Sequence, residues 1–526
     1  MNHVGQCILL GAGSGGPELL TRAGETWLAR AEVVVYDRLV SPALLALAPR
    51  AELIYVGKRA DEHAMPQERI NQLLVDRVQR GQFVVRLKGG DPFIFGRGGE
   101  EACALQAAGL SFRVVPGVTA ALAGGAYAGI PLTDRRCASS VAFVTGHEEP
   151  GKTDSSIDWT ALAAIDTVVF YMGVAHLPTI TERLIAAGLS PDVPVAVIEN
   201  VASPRQRVLV ATLATVADEA RRAGVEPPAI TIVGEVVRLR EQLAWMERLP
   251  LRGKTVLVTR SRPQASQLAA ALTEHGAEVI ECPTIEIHPL DASADLRAWL
   301  GPSSLRCDAT NAVEREQIRR LLVLTSPNGA ALLAENLERL GADGRALAGV
   351  EIAAIGPGTA AALRSTAGLR TDVLPTTFTT RALAERLIDW LGPDAKHARV
   401  LLARAEIGSP ELAQTLTDAG VAVTDLPLYS TRRPTNFPPA ALEALRAGQV
   451  DWITFASSST VTNFLALLDQ ASAAGNPVDL TNVRIAAIGP VTADTLRDQG
   501  LTVTAQATDH TINGLVEAMV TQRRAL

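Results

Sequence analysis

Short apolar runs, each broken by glycine or proline, recur along the chain and alternate with segments of helical period. Gln6-Cys-Ile-Leu-Leu10 predicts a buried strand that runs into Gly11-Ala-Gly-Ser-Gly-Gly16, after which Pro17 and Leu19-Leu-Thr21 open a helix. Val33-Val-Val-Tyr36 predicts a second strand, with Asp37 at its carboxyl end. A helical pattern starts at Gln67-Glu-Arg-Ile-Asn-Gln72. Phe83-Val-Val-Arg-Leu87 then reads as a strand, the glycine-rich stretch from Lys88 to Glu101 as a loop, and the small residues beyond it as a helix. Ala229-Ile-Thr-Ile-Val-Gly234 closes this half with a strand. A polar helix through Trp245 fades into Leu249-Pro-Leu-Arg-Gly253, a linker by its proline and glycine, before a new strand at Thr255-Val-Leu-Val258.

The second half repeats itself. Val256-Leu-Val-Thr-Arg260 recurs as Val400-Leu-Leu-Ala-Arg404, and Gly276 and Pro283 follow the first copy at the offsets at which Gly420 and Pro427 follow the second. Ala353-Ala-Ile-Gly-Pro-Gly-Thr-Ala360 recurs as Ala486-Ala-Ile-Gly-Pro-Val-Thr-Ala493, with Thr325-Ser-Pro-Asn328 and Ala456-Ser-Ser-Ser459 preceding them in step. A repeat of this length predicts two related lobes, each of alternating strands and helices around an open parallel sheet. The polar stretch from Pro302 to Arg320 reads as a surface insertion.

Composition narrows the class. A chain of 526 residues, 47% hydrophobic and 20% charged, predicts several globular domains. Cys7, Cys103, Cys137, Cys282 and Cys307 form no CxxC pair, and the histidines never fall at HxxxH spacing, so neither a metal site nor a disulfide framework is expected. The amino terminus lacks a basic leader and no apolar run nears the ~20 residues of a membrane helix; the expected compartment is the cytoplasm. With a net charge of −7 and no basic block, nucleic acid is not an expected partner.

The chemistry starts from the glycines. Gly11, Gly13 and Gly16 spell GxGxxG after a strand, and Asp37 stands where a dinucleotide-binding crevice would hold ribose hydroxyls. That reading predicts a nicotinamide or flavin enzyme. Gly89 and Gly90 allow a tight turn and close approach to a ligand, Asp91 offers an acceptor and Pro92 fixes the next φ.

The remaining motifs point elsewhere. Tyr36-Asp-Arg-Leu-Val40, Val56-Gly-Lys-Arg59, Pro66-Gln-Glu-Arg-Ile-Asn71, the Lys88–Glu101 stretch, Pro116-Gly-Val-Thr-Ala120, Gly129-Ile-Pro-Leu-Thr-Asp-Arg135, Tyr171-Met-Gly173, Ile198-Glu-Asn200 and Pro227-Pro-Ala229 stand in order. Together they resemble the uroporphyrinogen-III C-methyltransferases of the tetrapyrrole methylase family. The resemblance implies two α/β lobes with S-adenosylmethionine in the cleft between them, and a homodimer. It places the cofactor against Ser14, Gly89, Gly90, Asp91, Ile94, Thr119, Ala120, Met172, Val201 and Ala229. Asp37 is implied as proton acceptor and Lys58 as proton donor, with Arg59, Arg97 and Arg135 near a polycarboxylate substrate. Ser14, Gly16, Asp134 and Val201 depart from the family pattern, which leaves open a tetrapyrrole-binding protein whose methylase half has decayed.

Residues from about 252 to 520 resemble uroporphyrinogen-III synthase. Carried over, the resemblance implies one lobe from about 252–287 plus 430–520, an inserted lobe from about 288–429, and a substrate cleft between them. The expected substrate contacts are Thr325, Ser326, Thr359, Ser457 and Thr492, and Tyr429 is the candidate acid. Helix starts suit a polycarboxylate, although each hydroxyl could equally be a helix cap. The expected division is 1–248 for the methyltransferase and 249–526 for the synthase. The expected chemistry is closure of hydroxymethylbilane to uroporphyrinogen III, then two methylations to precorrin-2 on the siroheme or cobalamin branch.

Overall fold

The computed structural model describes residues 5–57, 65–146, 157–260, 262–301, 318–473, 475 and 477–524. The chain divides into two compact units, Met1–Lys254 with Leu272–Glu278, and Thr255–Ala271 with Val279–Leu526. The expected boundary at 248/249 therefore falls inside the first unit, where Leu251 is buried.

The first unit opens with strands β1 (Gln6–Gly11), β2 (Val33–Tyr36), β3 (Glu52–Tyr55), β4 (Phe83–Lys88) and β5 (Ser111–Val115). They form an all-parallel sheet in the order β3-β2-β4-β1-β5. β1 and β4 are nearly continuous apolar runs because a central parallel strand is covered on both faces. At the first helix the structure differs slightly from expectation. Pro17–Leu19 is a single 3₁₀ turn, and the α-helix Arg22–Leu28 begins only after Thr21, whose hydroxyl accepts the Gly24 N–H at 3.0 Å.

A second sheet follows from β6 (Val141–Thr145), β7 (Thr167–Tyr171), β8 (Pro194–Glu199), β9 (Arg207–Thr212) and β10 (Ala229–Val233), in the order β6-β7-β10-β8-β9. Only β6 and β7 run parallel; β10 pairs antiparallel with β7 and β8, and β9 with β8. The small-residue helix Ala120–Ala128 packs on this sheet, with Ala121 and Ala128 in its core beside Ile230 and Ile232.

The second unit contains β11 (Thr255–Val258), β12 (Glu278–Glu281), β13 (Glu286–Pro289), β14 (Arg320–Leu324), β15 (Val350–Ala354), β16 (Arg399–Ala405), β17 (Ala422–Arg432), β18 (Trp452–Phe455), β19 (Arg484–Ala487) and β20 (Ala505–Gln506). They build two sheets, β12-β11-β18-β19-β20 and β13-β17-β16-β14-β15, so the chain leaves one lobe, completes the other and returns. β11, β18, β19 and β20 pair in parallel, as do β15, β14, β16 and β17, while β13 runs antiparallel to β17. That pairing falls at the expected crossings near 287 and 430. Glu286 and Ile287 stand opposite Arg432 and Thr431, so both crossing strands belong to the inserted lobe. The two repeat copies fall on equivalent strands, β11 with β16 and β15 with β19, and Gly276 and Gly420 share a left-handed conformation at φ 90° and 86°. Most of the expected insertion, residues 302–317, lies outside the described residues.

One test of the second unit's core is Phe464→Ala. Phe464 is fully buried, with its ring 5.5 Å from Phe437 and 5.4 Å from Phe455. Its loss should destabilise this unit by about 3–5 kcal/mol, read as a lower midpoint in urea unfolding followed by near-ultraviolet dichroism.

Candidate functional site

Three turns of the first sheet meet backbone to backbone. Gly13 and Gly90 exchange hydrogen bonds at 3.1 and 2.8 Å. A methyl group added at Gly11 would stand 2.5 Å from the Gly117 nitrogen, and one at Gly117 only 2.2 Å from the Gly90 carbonyl. No side chain fits there, which is the physical reason for glycine at each position. Asp91 completes the junction, one carboxylate oxygen accepting the Phe93 N–H at 2.8 Å and the other the Gly117 N–H at 3.0 Å.

The bare α-carbon of Gly90, at φ 70°, is where the expected cofactor residues converge. A methyl placed on it would lie 3.7 Å from the Ser14 hydroxyl, 3.7 Å from Thr119 Cα and 3.9 Å from the Ala120 nitrogen. This is a cradle left open by the missing side chain, and the Ser14 hydroxyl and Ala120 nitrogen that face it suit the polar parts of S-adenosylmethionine. Ser14 also donates to the Val118 carbonyl at 3.3 Å, which ties the first turn to the third.

The second sheet supplies the other wall. The Tyr171 phenol lies 2.8 Å from the Thr119 hydroxyl and accepts the Ala121 N–H at 2.9 Å, so one side chain at the end of β7 fixes the start of the Ala120–Ala128 helix. The Phe95 ring sits 5.0 Å from the Tyr171 ring, and Ile94 packs on the second sheet's core. Met172 is half exposed at φ 55°. Phe95, Arg97, Asn200 and Ala202 are also left-handed, so strained non-glycine residues gather around this cleft. Ala229 begins β10 beside Glu199, and Val201 joins the same apolar core as Ile94.

Beneath the Gly89 turn lies a charge cluster that sequence reasoning missed. Glu101 is fully buried and its Oε1 accepts from Arg86 Nε at 2.9 Å, Lys88 Nζ at 2.9 Å and Gln67 Nε2 at 3.3 Å. Arg86 reaches on through Nη2 to Asp37 Oδ2 at 3.3 Å, while Asp37 Oδ1 accepts the Leu39 N–H at 3.1 Å. Two buried cations thus face two carboxylates. Burial, with Arg86 beside it, draws Lys88 below the usual lysine range, and burial pushes the neighbouring Cys7 thiol up to about 12. The available signal was alternation: Arg86 and Lys88 flank Leu87 in an otherwise apolar strand, with a paired glutamate one helix turn beyond the loop. The expected donor Lys58, like Arg59, lies outside the described residues.

This geometry removes the dinucleotide reading. β4 separates β1 from β2, so the GxGxxG turn and Asp37 do not stand on adjacent strands. The departures from the family pattern are accommodated. Arg136 binds Asp134 through Nε at 2.8 Å and holds its carboxyl at about 2, which neutralises the added charge locally. Val201 is seated in the second sheet's apolar core with Ile94, beside Gly124, whose missing side chain leaves room for Ile230 Cδ1 at 2.5 Å from a methyl placed there. Arg97 forms a forked pair with Glu100, Nε–Oε1 and Nη2–Oε2 both 2.7 Å.

In the second unit the structure brings Ser326 and Tyr429 together. Their hydroxyls are 2.8 Å apart, and Ser326 caps the helix Pro327–Arg339 by accepting the Gly329 N–H at 3.1 Å. Burial raises the Tyr429 phenol above its ordinary value and the Ser326 bond opposes that, so the phenol is protonated at neutral pH. Thr325 is half-buried at the end of β14. Ser457 caps its own turn, accepting the Thr460 N–H at 3.3 Å. Thr359 and Thr492 are 3% and 4% exposed, packed beneath their turns rather than presented outward. Each of those turns instead carries a ring over its capping glycine. A methyl at Gly356 would stand 3.4 Å from Phe378, and one at Gly489 3.1 Å from His510. Phe378 and His510 directly precede Thr379 and Thr511, which accept the Ala382 and Gly514 N–H groups at 3.2 and 3.0 Å, so extending the repeat would have found them.

The buried cluster gives a direct test. Glu101→Gln keeps the shape of the side chain but leaves Arg86 and Lys88 without their shared carboxylate. The expected cost is about 3–5 kcal/mol in equilibrium unfolding of the first unit, and the Tyr429–Ser326 site should be unaffected.

Comparison with known proteins agrees with this division. The family described as Tetrapyrrole (Corrin/Porphyrin) Methylases matches residues 6–217, and that described as Uroporphyrinogen-III synthase HemD matches 266–517. The "Porphyrin biosynthesis protein HemD" of Ruminiclostridium josui is 36% identical over 522 residues, 99% of this chain and 98% of that protein. A siroheme synthase of Azotobacter vinelandii is 54% identical over 246 residues, 46% of this chain and 53% of that protein. Among solved structures, the uroporphyrin-III C-methyl transferase of Thermus thermophilus complexed with S-adenosyl homocysteine is 43% identical, covering 44% of this chain and 99% of its own, at a TM-score of 0.39. With one family on each half and a relative matched along nearly its whole length, the chain belongs to the porphyrin biosynthesis proteins that join a tetrapyrrole methylase to a uroporphyrinogen-III synthase.

Proposed function

We propose that the second unit closes hydroxymethylbilane to uroporphyrinogen III with inversion of the last ring, and that the first unit methylates this product twice to precorrin-2. The product of one reaction is the substrate of the next, which gives the fusion a chemical logic. The observation that carries the methylase reading is the convergence of Ser14, Thr119 and Ala120 on the open face of Gly90.

S-adenosylmethionine supplies an already activated methyl group, so the protein's work is alignment and proton management. The Gly90 cradle, Asp91 and the Thr119–Tyr171 pair fix the geometry of the cleft, and Met172 offers a soft, adaptable apolar surface. Asp37 is the proton acceptor of this reading. Arg86 and the Leu39 amide set its orientation, and it remains partly exposed at 27% of its side chain. Lys58 is proposed as the donor. Arg97 and Arg135 are proposed to meet substrate carboxylates.

In the synthase the protonated Tyr429 phenol donates toward the departing hydroxyl, and Ser326 fixes its direction. Helix N-termini in both lobes favour the carboxylates of a linear tetrapyrrole. The cytoplasm and a homodimer through the methylase half belong to the same proposal. No helix among the described residues is long and apolar enough to cross a membrane, and exposed Leu122, Leu243 and Trp245 give the first unit apolar surface for self-association.

Two variants test the two halves separately. Asp37→Asn should slow methylation about 10²-fold with ring closure unchanged, measured with hydroxymethylbilane and S-adenosylmethionine by absorbance and mass. Tyr429→Phe should slow formation of the type III isomer while the uncatalysed type I isomer rises in its place, and methylation of added uroporphyrinogen III should persist. An unchanged isomer ratio at limiting enzyme would assign the phenol a structural part only.

A further inference from the structure

A guanidinium from the segment beyond residue 248 holds the loop that forms one wall of the methylase cleft. Arg252 donates through Nη1 to the carbonyls of Ser203, at 3.3 Å, and Pro204, and through Nη2 to that of Gln206. A planar fork can serve several carbonyls at once, and a lysine ammonium cannot reproduce that arrangement.

The loop so held leads directly to the cofactor side. Gln206 is 3% exposed, and its Oε1 accepts the Ala202 N–H at 2.9 Å while its Nε2 is buried with no partner among the described residues. Ala202 is left-handed at φ 54°, as is Asn200 at φ 48°, and Val201 lies between them. The Ala202 carbonyl faces the first glycine turn closely enough that a methyl on Gly15 would stand 2.2 Å from it. The next residue back is Ser14, which faces the Gly90 cradle. Continuous contact therefore runs from Arg252 through Gln206 and Ala202 to Gly15.

We propose that Arg252 is a positioning residue for S-adenosylmethionine binding, pinning the 203–206 carbonyls so that Gln206 and Ala202 stand where the first glycine turn closes against them. The short segment that leads into β11 is then part of the methylase site. This rests on the reading of Ser14 and Val201 as cofactor neighbours.

The test uses the full chain. Arg252→Ala, Arg252→Lys and Val201→Trp are compared by calorimetric binding of S-adenosylhomocysteine and by KM and kcat of methylation, with urea unfolding of the first unit as the measure of folding. Arg252→Ala should weaken binding and raise KM for S-adenosylmethionine about tenfold, with kcat at saturation within about twofold of native. Arg252→Lys should fall between the two, and Val201→Trp should weaken binding in its own right. If Val201→Trp weakens binding and both Arg252 variants bind as native, the clamp is wrong. If no variant changes binding, the cofactor wall itself is wrongly placed and the proposal falls with it. If Arg252→Ala lowers kcat and the unfolding midpoint of the first unit together at unchanged affinity, the residue is only structural and the proposal is overturned. Should Arg252→Ala not fold, the lysine variant decides: native affinity in it refutes the clamp.

Discussion

The methylase half depends on a contact that excludes side chains. Gly11, Gly90 and Gly117 approach so closely that any Cβ at the first or third position would collide with backbone, and Gly13 and Gly90 are hydrogen-bonded across the junction. Because main chain touches main chain, three separate strand ends become one rigid rim. The open face of Gly90 is where the cofactor is proposed to sit. Asp91 strengthens the rim by accepting two of its N–H groups. The structure thus gives Asp91 a clear loop-ordering part beside the cofactor contact implied by resemblance.

Below the rim, electrostatics supply the second constraint. A carboxylate at zero exposure is costly without donors, and Glu101 has three on one oxygen. The same arrangement extends to the surface through Arg86, whose guanidinium reaches Asp37. A carboxylate at a strand end is thereby linked to the helix Gly98–Ala107 behind the glycine turn, so the orientation of Asp37 and the seating of that turn share one buried cause. Desolvation dominates the electrostatics here, which is why Lys88 falls despite its glutamate partner and why the Cys7 thiol is pushed up.

The synthase half uses one device twice. In each lobe a strand ends in an alanine pair and an isoleucine, a capping glycine followed by proline opens a helix, and an aromatic ring from farther along the chain lies over that glycine. The two copies differ where specificity can reside: Phe378 is apolar where His510 is polar, and Gly358 is replaced by the exposed Val491. Tyr429 has no counterpart of this kind. It comes from β17, which continues out of the parallel sheet to pair antiparallel with β13, so the candidate acid sits where the chain crosses between lobes.

Strand and helix order, the two halves, the inner repeat and the glycine turns were legible in the sequence. Each is a local matter of apolar period, of residues that alone tolerate a tight turn, or of motif order. The family was legible for the same reason, since its motifs are short and stand in sequence. What the sequence left open were relations between distant residues. Strand order decided that Asp37 does not stand beside the first glycine turn, because β4 inserts between β1 and β2. Burial decided that Glu101 is a charge hub while adjacent Glu100 pairs outward with Arg97. Packing turned Thr359 and Thr492 inward and placed Phe378 and His510 over the helix starts instead. Arg252 read only as part of a linker until the fold set it against three carbonyls some fifty positions earlier. Periodicity specifies which residues leave water, but only the packed structure determines which of them meet.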